Sequence, residues 1–152
     1  MGVKKKAEVM TANELYKQLE MSQHTLALFN NGEVRFFDER GIADLFRLVT
    51  KQPDLLKGAI IADKVVGKAA AALMITGKIA ELHTHVVSKP ALHLLSTSDI
   101  KHSYDILTDQ IRNRTNTGFC PMETLCLECE TAEECVKKIT KKLTEKEDRL
   151  KI

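Results

Sequence analysis

Residues 58–77 read Gly58-Ala-Ile-Ile-Ala-Asp-Lys-Val-Val-Gly-Lys-Ala-Ala-Ala-Ala-Leu-Met-Ile-Thr-Gly77, and the pattern changes half-way along. Gly58-Ala-Ile-Ile-Ala62 is a short apolar run bounded by a glycine, which predicts a buried strand. The Ala-rich stretch from about Val66 to Thr76 predicts a helix whose small side chains let it sit close on a sheet, with Gly77 as its left-handed cap. Downstream the same alternation repeats. Ile79–Val87 reads as a strand, Ser88 and Pro90 mark a helix start before Ala91–Ser96, and Ile100–Ile106 reads as another strand. Strands separated by helices imply parallel pairing, because only a crossover connection returns the chain in the same direction.

Upstream, Thr11-Ala-Asn-Glu14 is a capping box that opens a peripheral helix ending near Met21. His24–Phe29 and Glu33–Phe37 flank Asn30-Asn31-Gly32, and β-prone segments around Asn-Gly predict a hairpin. From Gly41, Ile42, Leu45, Phe46 and Val49 recur at helical spacing until Pro53 stops the run. The fold class is therefore α/β, with a mixed, mainly parallel sheet that starts with a β-hairpin. Thr131-Ala-Glu-Glu134 is a second capping box, and Val136, Ile139 and Leu143 stripe the last helix. The expected organisation is an N-terminal helix or arm over 1–23, one α/β domain over 24–145, and a flexible tail over 146–152.

Composition excludes several functions. In 152 residues, Lys and Arg total 23 against 21 for Asp and Glu. The net charge of +2 gives no field strong enough to make nucleic acid an expected partner. The absence of Trp, with two Tyr and five Phe, leaves little for base stacking. No apolar run approaches the roughly 18 residues of a membrane span, and Met1–Lys6 leads into no apolar signal region, so a cytoplasmic location is expected.

Residues 62–71 superficially resemble a phosphate-binding loop, but a Walker A motif needs a glycine where Ala62 stands and a hydroxyl where Ala69 stands. A weaker possibility remains: Asp63, Lys64, Gly67 and Lys68 surround a strand-to-helix turn, where helix amides and lysines can hold an anion. As readily, the lysines are solvated, Asp63 caps a turn and Gly67 makes the bend. The four cysteines, Cys120, Cys126, Cys129 and Cys135, have only one close pair, unlike a structural zinc site. Met122, Leu125, Cys126 and Cys129 fall at the spacing of a buried helical stripe. Cys120 precedes Pro121 and Glu123 at a helix start, where a thiolate is stabilised or a cap is simply half-buried. His83 and His85 share a strand face, with no third metal ligand evident and a polar-face role the simpler reading.

The segments Ala62–Ala71 and Cys120-Pro-Met-Glu123, with the strands between them, resemble a small uncharacterised bacterial family, a domain of unknown function with a cytidine-deaminase-like fold. The likeness covers roughly residues 24–125. It implies a three-layer helix/sheet/helix sandwich with a site between two helix starts. Active zinc deaminases carry H-x-E or C-x-E and P-C-x-x-C; neither is present here, so zinc deamination is not expected and no metal or cofactor is assigned. By position, the resemblance implies a pocket formed by Asp63, Lys64, Gly67 and Lys68 with Cys120, Met122 and Glu123, joined by Arg114 and Asn116 from the preceding loop. The leading expectation is a metal-free domain binding an anionic or nucleotide-like small molecule. The alternatives are a zinc-independent enzyme, with Cys120 as nucleophile or Lys64 as base, and a structural or homo-oligomer-forming module.

Overall fold

The computed structural model describes residues 10–39, 42–111 and 121–150, and their side chains as far as residue 145. Gly41, Arg114, Asn116 and Cys120 fall outside these residues. A five-stranded sheet runs in the order β2-β1-β3-β4-β5. β1 (Leu26–Asn30) and β2 (Glu33–Phe37) form the expected hairpin, turned by Asn31 and Gly32 at φ 53° and 76°. Positive φ at both turn positions gives the twist a two-residue hairpin needs, which Asn and Gly tolerate best. β1 pairs antiparallel with β3 (Ile60–Val66), while β3, β4 (Glu81–Ser88) and β5 (Lys101–Thr108) are parallel.

Helix α1 (Ala12–Met21) lies on one face of the sheet. Thr11 Oγ1 accepts from the Glu14 N–H at 3.1 Å, and the Glu81 carboxylate accepts from the Ala12 N–H at 3.0 Å. Leu15, Tyr16 and Leu19 pack against Ala27 and Ala62. Far from standing off as a peripheral arm, α1 is a layer of the fold. The larger core lies on the other face, beneath α2 (Ala43–Lys51), α3 (Pro53–Leu56), α4 (Lys68–Gly77) and α5 (Lys89–Ser96), with α6 (Pro121–Cys126) and α7 (Ala132–Leu150) completing the layer. α4 is its centre, packed by α2, α5, α6 and α7. Residues 68–74 are all buried, as expected of a helix apolar around its whole circumference. Among the described residues no helix is long and apolar enough to cross a membrane.

Four expectations need correction. β3 continues to Val66, because Val65 and Val66 pair with Val86 and Val87; Asp63 and Lys64 therefore lie in a strand. Pro53 ends one helix but begins the single turn of α3, occupying a first-turn position that needs no N–H donor. Gly77 is the last residue of α4, and Lys78 takes the left-handed conformation at φ 61°. Gly77 is needed for packing: a Cβ there would lie 2.7 Å from Leu56 Cδ1. The last helix also runs beyond Thr144, to Leu150.

One irregularity crosses the parallel strands. Ile61 and Leu82 share a core with Val66 and Val87, although strict alternation places residues an odd number apart on opposite faces. The alternation slips at the row of Lys64, His85 and Asp105, which the ladders skip between Asp63↔Thr84↔Tyr104 and Val65↔Val86↔Ile106. A local bond marks the slip: Thr84 Oγ1 donates to the Val86 carbonyl at 3.0 Å, and the Asp63 carboxyl sits by the Lys64 and Val65 N–H groups that pull its pKa down. As a result Val65, Val86 and Ile106 turn toward the face that carries α1.

Candidate functional site

The C-terminal end of β3 meets the start of α4, where Gly67 offers no side-chain cap. The cap arrives from α6. Glu123, 1% exposed, accepts from the Lys68 N–H at 2.6 Å and the Ile111 N–H at 3.1 Å, so a carboxylate already meets the positive end of α4. A Cβ on Gly67 would stand 3.0 Å from Glu123 Oε2 and 3.2 Å from Ile111 Cγ1; glycine is what permits this approach. The buried Lys68 side chain runs the other way, donating from Nζ to the Leu127 carbonyl at 3.0 Å and to the Cys129 carbonyl. Glu123 caps the start of α4 while Lys68 caps the chain leaving α6. The two residues clamp the helices to each other.

Asp63 and Lys64 occupy the slip in β3. Burial pushes the Asp63 carboxyl up to about 8, against the opposing pull of the Lys64 and Val65 N–H groups, and Asp44 adds to the rise. Removing a carboxylate from water costs more than two peptide donors return. Asp44, 3% exposed, accepts from the Glu39 N–H at 2.9 Å and from Arg47 at 2.8 Å. Lys64 is half-buried and forms no ion pair among the described residues. Asp63 and Lys64 adjoin in the chain inside β3, whose last residue is Val66, close to the carboxyl end of the parallel strands where open α/β sheets place ligands.

Cys126, Cys129 and Cys135 are buried free thiols beneath this junction. A hydrogen bond from Cys135 holds Cys126 below the usual thiol range and raises Cys135 itself, while burial raises Cys129. Cys126 and Cys129 join the main core, as their spacing implied, although α6 ends at Cys126. Met122 and Leu125 pack on its edge.

Sequence spacing did not reveal a cluster on the opposite face of the sheet. His83 Nδ1 lies 2.7 Å from Ser103 Oγ and its Nε2 3.3 Å from Asp105 Oδ1, while Asp105 Oδ2 lies 3.0 Å from His85 Nδ1. Tyr16 meets the His83 ring edge-on at 5.1 Å and stacks on His85 at 6.4 Å. The hydrogen bond from His85, reinforced by His83, holds the Asp105 carboxyl below its ordinary range. Only β4–β5 register unites these residues. Among the described residues, no three His, Cys, Asp or Glu side chains are placed to hold a metal ion.

Residues 14–143 match the model of a domain of unknown function, DUF1893. The chain belongs to the DUF1893 family. The DUF1893 domain is also similar to the crystal structure of a DUF1893 family protein from Thermotoga maritima, with a TM-score of 0.77 and 27% identity over 90% of this chain and 94% of that one. No curated protein matches it.

Within the DUF1893 domain, Gly67, Lys68 and Glu123 do come together, bonded to one another and to backbone. Asp63 and Lys64 lie earlier in β3, and Met122 packs against the core. Arg114, Asn116 and Cys120 lie outside the described residues.

Proposed function

We propose that this DUF1893 domain is a metal-free binding domain, on a deaminase-like scaffold, for an anionic or nucleotide-like small molecule. The deaminase-like assignment draws on the leading hairpin, the three parallel strands and helices on both faces. The binding role rests on two neighbours in β3: Asp63, whose carboxyl is pushed up to about 8, and Lys64, a cation with no acidic partner among the described residues. Lys64 attracts the anionic group and Asp63 donates to a ligand acceptor. The internal Glu123 already fills the α4 N-terminus, so the ligand is held by Asp63 and Lys64 of β3 in place of the helix amides.

A thermal-stability screen in chelator-treated buffer, using inorganic phosphate, AMP, ADP and ATP as probes, tests this reading. Ligand at about 100 times its Kd stabilises by about 2.7 kcal/mol, which raises Tm by roughly 5–10 °C for a domain of this size. Lys64→Ala should abolish the shift while keeping the unliganded Tm. No shift with any probe, or an equal shift in Lys64→Ala, contradicts the proposal.

A further inference from the structure

The face of the sheet that carries α1 is only partly covered: α1 packs on β1, β3 and β4, while β5 is an edge strand whose middle is exposed. Ser103 and Asp105 sit two apart on β5, on the side that meets His83. Their atoms bracket the imidazole, with Ser103 Oγ 2.7 Å from Nδ1 and Asp105 Oδ1 3.3 Å from Nε2. Tyr16 covers His83, which is 5% exposed, whereas Ser103 is open to solvent. A nucleophile within reach of a base that a third group orients is the arrangement acyl transfer requires. The strand slip adds a second feature on this face. Val65, Val86 and Ile106 form an apolar row next to Asp105, with Val65 45% and Ile106 49% exposed.

We propose that Ser103, His83 and Asp105 form an acyl-transfer site for a small acyl ester, whose acyl chain lies along Val65, Val86 and Ile106. Lys64 lies in the same row as His85 and Asp105, but this site uses neither Asp63 nor Lys64 and does not rest on their binding role. Ser103 Oγ bonds to the acyl carbon as His83 Nδ1 takes the hydroxyl proton. The ester C–O bond then breaks, and His83 returns that proton to the departing alkoxide. Water attacks the acyl-serine and gives its proton to His83. The acyl carbon–Oγ bond breaks, the carboxylic acid leaves, and Ser103 Oγ recovers the proton from His83. Asp105 is a positioning residue, accepting from Nε2–H and stabilising the imidazolium, with its second oxygen held by His85.

The test is labelling of the full chain with a fluorophosphonate probe, mapped by mass spectrometry, alongside hydrolysis of p-nitrophenyl butyrate. The expected result is one label per chain on Ser103, absent from Ser103→Ala and from urea-unfolded protein. Asp105→Asn should slow labelling about 100-fold, the scale of a lost base, and lower kcat with KM unchanged. Ser103→Cys keeps the site in a folded chain if Asp105→Asn does not fold; its new thiol should alkylate with iodoacetamide at least about tenfold faster than free cysteine, the scale of an activated thiolate, and His83→Gln in that background should remove the advantage. No label on Ser103, equal labelling of folded and unfolded protein, or a thiol in Ser103→Cys that reacts no faster than free cysteine overturns the proposal.

Discussion

Asp63 and Lys64 are neighbours in the chain but meet different surroundings, and the difference sets their chemistry. The Asp63 carboxyl turns back on its own strand at the slip and is pushed up to about 8 by burial. An unfolded Asp titrates near 3.9. Between about pH 4 and pH 8 the folded chain therefore binds a proton that the unfolded chain has released, and stability falls as pH rises through this window. Urea unfolding from about pH 5 to pH 8 should show this decline, and Asp63→Asn should flatten it; an unchanged profile would mean an ordinary Asp63. Lys64 was legible as a candidate from sequence, but its lack of an acidic neighbour was not. At Gly77 the sequence predicted a left-handed cap, whereas the structure gives that conformation to Lys78 and leaves Gly77 against Leu56. Gly77→Ala should cost about 1–3 kcal/mol through overpacking, and Lys78→Gly should be neutral or stabilising in the same unfolding assay. If Gly77→Ala is neutral, Leu56 yields more easily than its contacts imply.

The elements most legible in sequence carry local signals, namely the Asn-Gly hairpin, the capping boxes at Thr11 and Thr131, and the Ser88 start of α5. Ser88 Oγ accepts from the Ala91 N–H, and Thr131 Oγ1 from the Glu134 N–H. The end of β3 was not legible, because Asp63 and Lys64 interrupt an apolar run that Val65 and Val66 resume. Partners remote in sequence were likewise hidden. Glu123 caps α4 across 55 residues, and no spacing rule points to such a pair. Glu123→Ala strands the buried Lys68 N–H and uncovers the part-buried Ile111 N–H, and should destabilise by about 1–3 kcal/mol. Denaturant melts would reveal it; a loss under about 0.5 kcal/mol would mean that water replaces the carboxylate without penalty.

At the scale of the molecule, sequence alternation implied the parallel core and its class, but not the role of α1. Leu15 and Leu19 are fully buried against the sheet, and Glu81 reaches from β4 to the first turn of α1. Leu19→Ala should therefore cost about 2–5 kcal/mol, as for other buried leucines. A cost below about 1 kcal/mol would describe a detachable arm. The chemistry gathers around the slip, with Asp63 and Lys64 inside β3 and the Ser103–His83–Asp105 cluster on β4 and β5 beside α1. Sequence placed His83 and His85 on one strand face. It could not supply Ser103 and Asp105, because the β4–β5 register that joins them is a property of the assembled sheet.

The binding account stands on Asp63 and Lys64 acting together, and calorimetric titration with AMP tests that pairing most directly. The wild-type chain should bind AMP at about pH 6.5 and bind at least about tenfold more weakly at about pH 9, where Asp63 is ionised and repels the anion. Lys64→Ala should not bind measurably at either pH. Binding of equal strength at both pH values, or retained in Lys64→Ala, would contradict the account.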